Sequence, residues 1–104
     1  MKTDIKSVHF DIKEPTKEFL DKKLSKINYA EKIVEDLHIT LTKEKSSYTA
    51  EVNVHTHWKE LFHIKEDGKD LIEAIEKLFD KLDYKLSKEK QKIQNHHKEK
   101  PEQI

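Results

Sequence analysis

Val34-Glu35-Asp36-Leu37-His38-Ile39-Thr40-Leu41-Thr42 and, after the stretch Lys43 to Ser47, Tyr48-Thr49-Ala50-Glu51-Val52-Asn53-Val54 decide the fold. In the first, Leu37, Ile39 and Leu41 fall on one face of a two-residue period. In the second, Tyr48, Ala50, Val52 and Val54 do the same. This alternation is that of strands buried on one side only. Lys43 to Ser47 between them reads as a hairpin turn. Beyond Val54, His57 to Glu60 reads as a second turn, and Phe62 and Ile64 give a short fourth strand.

Upstream, Ile5 to Ile12 reads as a first strand, with Val8, Phe10 and Ile12 alternating. Pro15 stands where a first helical turn would begin. From Thr16 to Tyr29, Phe19, Leu20, Leu24 and Ile27 recur at the spacing of an amphipathic helix. Downstream, Asp67-Gly68 breaks the strand pattern, and Asp67 or Asp70 can cap a second helix. This helix is long, with Leu71, Ile75, Leu78, Leu82 and Leu86 on one stripe, Ile72 and Phe79 beside it, and room to run past Ile93. The order β-α-β-β-β-α predicts an α+β domain: a four-stranded mixed sheet with two helices packed on one face. Residues 1–95 form this domain, and residues 96–104 a short polar tail.

The chain has 104 residues, the size of one domain. Leu, Ile, Val and Phe number 27, enough for a core and too many for a disordered chain. Charged residues make up 40%, yet the net charge is zero, so no global field points to a polyanionic partner. The distribution is uneven. Glu31 to Asp80 holds 12 acids and 7 lysines, whereas Lys81 to Lys100 holds 7 lysines and 3 acids. There is no arginine, and lysine's point charge suits phosphate better than base edges. The absence of cysteine excludes disulfides, zinc-thiolate sites and cysteine nucleophiles. No apolar run has membrane-spanning length and no signal segment opens the chain, so a cytoplasmic protein is expected.

Lys81, Lys85, Lys88 and Lys92 are spaced four, three and four apart. At about 100° per residue they share an arc of roughly 60°, with the apolar stripe centred about 90° away. They form a ridge along the helix flank that matches a phosphate backbone. Lys90 adds charge nearby. A solvated helix face would have the same pattern, and spacing alone does not choose between the two. Lys22, Lys23 and Lys26 make a second cluster on the first helix, diluted by Glu18 and Asp21. If the helices pack side by side, the two clusters could merge.

His55 and His57 lie two apart on a strand, and His63 on its neighbour, so three histidines could hold zinc. No glutamate at helical spacing completes a metalloenzyme motif, and polar residues near a strand end explain them as well. Trp58 suits either stacking on a base or closing the sheet edge. Ser7, Ser25, Ser46, Ser47 and Ser87 lack a nucleophile-elbow context, and one glycine cannot make a phosphate loop. The expectation is a binding protein that is not an enzyme, takes no small-molecule substrate, and has no metal and no cofactor.

His38-Ile39-Thr40-Leu41-Thr42-Lys43-Glu44, then Asp70-Leu71-Ile72-Glu73-Ala74-Ile75-Glu76, then Asp80-Lys81-Leu82 with Leu86 and Lys88, succeed one another on this β-α-β-β-β-α frame. Together they resemble the ribosome hibernation factor family over roughly residues 3–95. That family includes the hibernation promoting factor and the ribosome-associated inhibitor also called protein Y, and some members carry the older label of sigma-54 modulation proteins. The resemblance implies a fold related to double-stranded RNA-binding domains. It implies binding to the small ribosomal subunit, its 16S-type ribosomal RNA and ribosomal proteins, across the A and P tRNA sites. There the protein would exclude mRNA and tRNA and silence idle ribosomes under stress or in stationary phase, as a monomer when off the ribosome. Lys23 and Lys26 match basic positions of the family's first helix, and Lys81, Lys88, Lys90 and Lys92 those of the second. Tyr84 and Lys85 stand where the family often has arginine and glutamine, and Ile72 where it usually has tyrosine. Long members add a domain that pairs two ribosomes. The short tail here predicts a short-form member and leaves the promoting and inhibiting subtypes open. A generic double-stranded RNA-binding or protein-interaction module is the alternative.

Overall fold

β1 (Lys2–Val8) runs parallel to β2 (Val34–Lys43) in a computed structural model that describes the backbone of residues 1–102 and the side chains of residues 1–92. β2 pairs antiparallel with β3 (Tyr48–Thr56), and β3 with β4 (Leu61–Gly68), giving the sheet order β1-β2-β3-β4. The register aligns Ile5 with Ile39, Ile39 with Val52, and Val52 with Ile64. It also aligns Leu37 with Val54 and Leu41 with Ala50. These side chains make up the one apolar face of the sheet.

Two helices cover that face. α1 (Glu14–Lys26) starts with Pro15 in its first turn, where a missing N–H leaves no intrahelical bond unmade, and buries Leu20. α2 (Leu71–Glu102) buries Ala74, Ile75, Leu78, Phe79, Leu82 and Leu86 against β3 and β4. Asp70 caps it: its Oδ1 accepts the Glu73 N–H at 2.9 Å. Sheet and helices share one core cluster, so the predicted α+β architecture with both helices on one side is the observed one. The tail expected over residues 96–104 lies outside the residues whose side chains are described.

Several boundaries differ: β4 runs on through Asp67 and Gly68, read as the break in the strand pattern, α1 begins at Glu14 and not at Thr16, and β1 and the end of α1 are shifted. β1 begins three residues before Ile5 and ends at Val8, because His9 takes a left-handed backbone conformation (φ 70°) that ends the strand. Phe10 then turns its ring edge-on to Tyr48, with centroids 5.5 Å apart, and Ile12 packs beside the core instead of continuing the alternation. α1 stops at Lys26, and Asn28–Lys32 form a 3-10 turn that carries Tyr29 and the buried Ala30. Ile72 is 39% exposed and lies off the buried stripe.

α2 leaves β4 so abruptly that Gly68 is pressed against it. A Cβ at Gly68 would sit 2.3 Å from the Ala74 backbone nitrogen and 2.8 Å from the Asp70 carbonyl oxygen. Both are backbone atoms, so the strain cannot be relieved by a rotamer change. Gly68→Ala should lower stability by about 1–3 kcal/mol. In urea unfolding this should appear as a lower midpoint with the slope unchanged.

Candidate nucleic-acid interface

α2 carries its lysines on two opposite flanks. On the β4 flank, Lys81 pairs with Glu66 at 2.5 Å, and the Lys85 ammonium lies over the Phe62 ring, 5.4 Å from its centroid. Lys88 and Lys92 continue this row by helical spacing. On the other flank, Phe79, Asp80 and Asp83 line a groove whose far wall is Lys23, Lys26 and Ile27 of the α1 end. Lys90 belongs to this second flank: its ammonium lies over the Tyr29 ring, 5.4 Å from the centroid. The ridge read from the spacing is thus a row of four on one flank, Lys81, Lys85, Lys88 and Lys92, and Lys90, read as adding charge nearby, lies on the opposite flank.

The α1 cluster does not merge with that row. Lys23 and Lys26 face the groove, with Asp80 and Asp83 between them and the outer surface of α2. Lys22 is exposed and does not line the groove. The body of α2, about 10–12 Å across with its side chains, separates the two basic flanks.

The row is partly neutralised. Glu89 is buried, only 4% exposed, and its carboxylate lies 4.0 Å from Lys85 and 3.7 Å from Lys92. With Glu66 on Lys81, three of the four lysines have a carboxylate neighbour. Lys88 has none among the described residues and lies 4.8 Å from the centroid of the Tyr84 ring. Lys90 likewise has only an aromatic neighbour there. Glu89 was legible by spacing, three and four residues from two lysines and at the edge of the apolar stripe, but composition alone counted it only as one of the three acids from Lys81 to Lys100.

Tyr29 ties the 3-10 turn to α2. Its hydroxyl donates to Asp83 Oδ1 at 2.5 Å, and Ser87 Oγ lies 3.2 Å away, placed to donate to the phenol oxygen. Burial pushes the Tyr29 phenol above its ordinary value, the hydrogen bond to Asp83 and that carboxylate's charge push the same way, and Ser87 pulls it back in part.

The histidines do not converge. His57 Nε2 lies 3.2 Å from the Glu31 carbonyl oxygen, His63 Nε2 lies 3.1 Å from Glu51 Oε2, and His55 Nδ1 lies 3.8 Å from Asp36 Oδ2. The three-histidine zinc arrangement is thus absent among the described residues. Trp58 is 44% exposed in the β3–β4 turn, its indole N–H donating to Glu60 Oε2 at 2.9 Å.

Residues 3–94 match the family model described as sigma 54 modulation protein / S30EA ribosomal protein. The chain is 29% identical to the ribosome hibernation promoting factor of Escherichia coli K12 over 96 residues, which is 92% of this chain and all of that protein. The factor of the same name from Klebsiella oxytoca is 30% identical over the same length and shares. Among solved structures, a ribosomal subunit interface protein from Coxiella burnetii superposes with a TM-score of 0.77 at 23% identity, covering 86% of this chain and 98% of that one. The N-terminal domain of Thermus thermophilus Protein Y gives 0.71 at 19% identity, covering 85% and 98%.

Tyr29→Phe should cost about 1 kcal/mol, the usual worth of one net hydrogen bond, because the exposed Asp83 carboxylate stays solvated. The raised phenol also sets a pH window. The unfolded chain releases this proton first, near pH 10, so the contribution is full below that pH and is lost as pH rises through the folded value. Urea midpoints of the wild type should therefore fall towards those of Tyr29→Phe above about pH 10 and differ by a constant amount below it.

Proposed function

The chain belongs to the sigma 54 modulation protein / S30EA ribosomal protein family, and from that premise we propose that it is a ribosome hibernation factor binding the small ribosomal subunit across the A and P tRNA sites. It acts in the cytoplasm by steric occlusion. A folded domain seated there excludes mRNA and tRNA and holds an idle ribosome silent, with no bond made or broken. The observation that carries the reading is the family match across residues 3–94. The two lysine flanks of α2 supply the surface.

The ribosomal RNA backbone lies over the outer face of the C-terminal half of α2. Lys81, Lys85, Lys88 and Lys92 meet phosphates on the β4 side. Lys90 and the α1 lysines Lys22, Lys23 and Lys26 meet them on the other. The carboxylates do not bar this. The lysine ends of these pairs are 45–72% exposed, so a phosphate can meet Lys81, Lys85 and Lys92 from the solvent side while Glu66 and the buried Glu89 stay their neighbours beneath. Tyr84, 62% exposed between the flanks, offers a ring for an unpaired base where relatives often have arginine.

Lysate sedimented through sucrose at low and high salt should show the chain in the small-subunit and monosome fractions. Its absence from both fractions at low and at high salt would overturn the proposal, and equal affinity for any RNA hairpin would replace it with a generic RNA-binding module. Lys88→Ala with Lys90→Ala removes two cations of α2 that have no carboxylate partner among the described residues. It should flatten the slope of log affinity for the small subunit against log salt by about 2, one for each phosphate no longer neutralised, at an unchanged thermal midpoint. Lys81→Ala should change affinity less, because Glu66 already neutralises that lysine.

A further inference from the structure

The sheet face turned away from the helices carries three histidines beside carboxylates. Asp4 on β1 bonds His38 on β2, and Glu51 on β3 bonds His63 on β4 at 3.1 Å. The third histidine, His55, differs. Its Nδ1 lies 3.8 Å from Asp36 Oδ2, too far for a hydrogen bond, and it has two acidic neighbours instead of one.

The second acid is there because β2 is irregular. Val34 pairs with Thr56 and Asp36 with His55, so two steps on β2 answer one step on β3 and Glu35 is the extra residue. Counting back from Leu37 by strict alternation, Glu35 would point into the core and Val34 to solvent. The bulge reverses this: Val34 is fully buried, and Glu35 turns out beside Asp36. One donor atom from each of Glu35, Asp36 and His55 then lies within 4.8 Å of the others. Donors around an ion with bonds near 2.1 Å lie about 3.0–3.5 Å apart, so small side-chain rotations close this set. Lys59 Nζ, 4.0 Å from Glu35 Oε2 and well exposed, is the only cation paired with Glu35 among the described residues and is readily displaced.

We infer that Glu35, Asp36 and His55 form a binding site for one divalent transition-metal ion of the zinc class. An imidazole with two carboxylates suits zinc, cobalt, nickel or manganese better than magnesium or calcium, which take oxygen ligands. The ion clamps the β2 bulge to the end of β3, and water fills its remaining positions. The site lies on the opposite side of the sheet from α2.

The test titrates zinc chloride alone into the full chain after dialysis against a chelator, read by calorimetry. One ion per chain is expected. His55→Ala and Asp36→Asn should each weaken binding by about tenfold or more. His63→Ala, and the pair His96→Ala with His97→Ala, should leave it unchanged. In the wild type, substoichiometric manganese should broaden the His55 ring signals before those of His38 and His63, a readout that does not depend on any variant folding. No saturable uptake below millimolar zinc, equal broadening of the three rings, or an equal loss in the His63 or His96 and His97 variants would overturn the site.

Discussion

α2 is held across β3 and β4 by Ile75, Leu78, Leu82 and Leu86, all fully buried, and its first turn sits against Gly68 with no room for a methyl group. Burying a side chain of this size contributes about 1.5–3 kcal/mol, so this one seam outweighs any surface ion pair in the molecule. It also fixes how the helix is rotated. Once the apolar stripe is down, the lysines spaced four, three and four must lie along the β4 flank, and Asp80, Asp83, Ser87 and Lys90 must face the α1 side. The layout of the lysines is a consequence of the core.

That rotation explains why a chain of zero net charge can present cations at all. Its acids are concentrated at the start of α2, in the groove toward α1 and on the open sheet face, while Lys88 and Lys90 have no carboxylate neighbour among the described residues. With no net field to steer it, the molecule should discriminate by shape at short range. Glu66 and Glu89 reinforce this. They lie beside Lys81, Lys85 and Lys92 and so lower the long-range positive potential of that row.

The alternation through Leu37–Leu41 and Ala50–Val54 placed the central hairpin correctly because those strands bury one face and expose the other. The same reasoning misplaced β1. Val8, Phe10 and Ile12 alternate in sequence, but His9 leaves the extended region, and no rule of spacing reveals a positive φ at histidine. Helical spacing found the row Lys81, Lys85, Lys88 and Lys92, and Lys90 was read only as charge nearby. A wheel argument would have put Lys90 roughly 180° from Lys81. The α1 lysines were found, but their separation from the row by Asp80 and Asp83 is a tertiary fact set by how two helices meet. The β2 bulge did leave a trace. Val34 and Leu37 are both buried although three residues apart, a break in period two that only an inserted residue reconciles.

The bulge and the lysine flanks divide the domain into two independent halves. The core face is bound up with α2, so any change there rotates the helix and moves its lysines. The open face carries no part of the buried seam. Its His–carboxylate pairs are between partly exposed side chains, each contributing little to stability, and they are free to vary without disturbing the lysine flanks of α2. Val34 and Thr56 are the exception, since both are fully buried where β2 and β3 begin to diverge, and the core depends on the bulge that turns Val34 inward. Glu35 is therefore exposed beside Asp36 as a by-product of packing Val34. A site that uses it borrows a backbone feature the fold already needs.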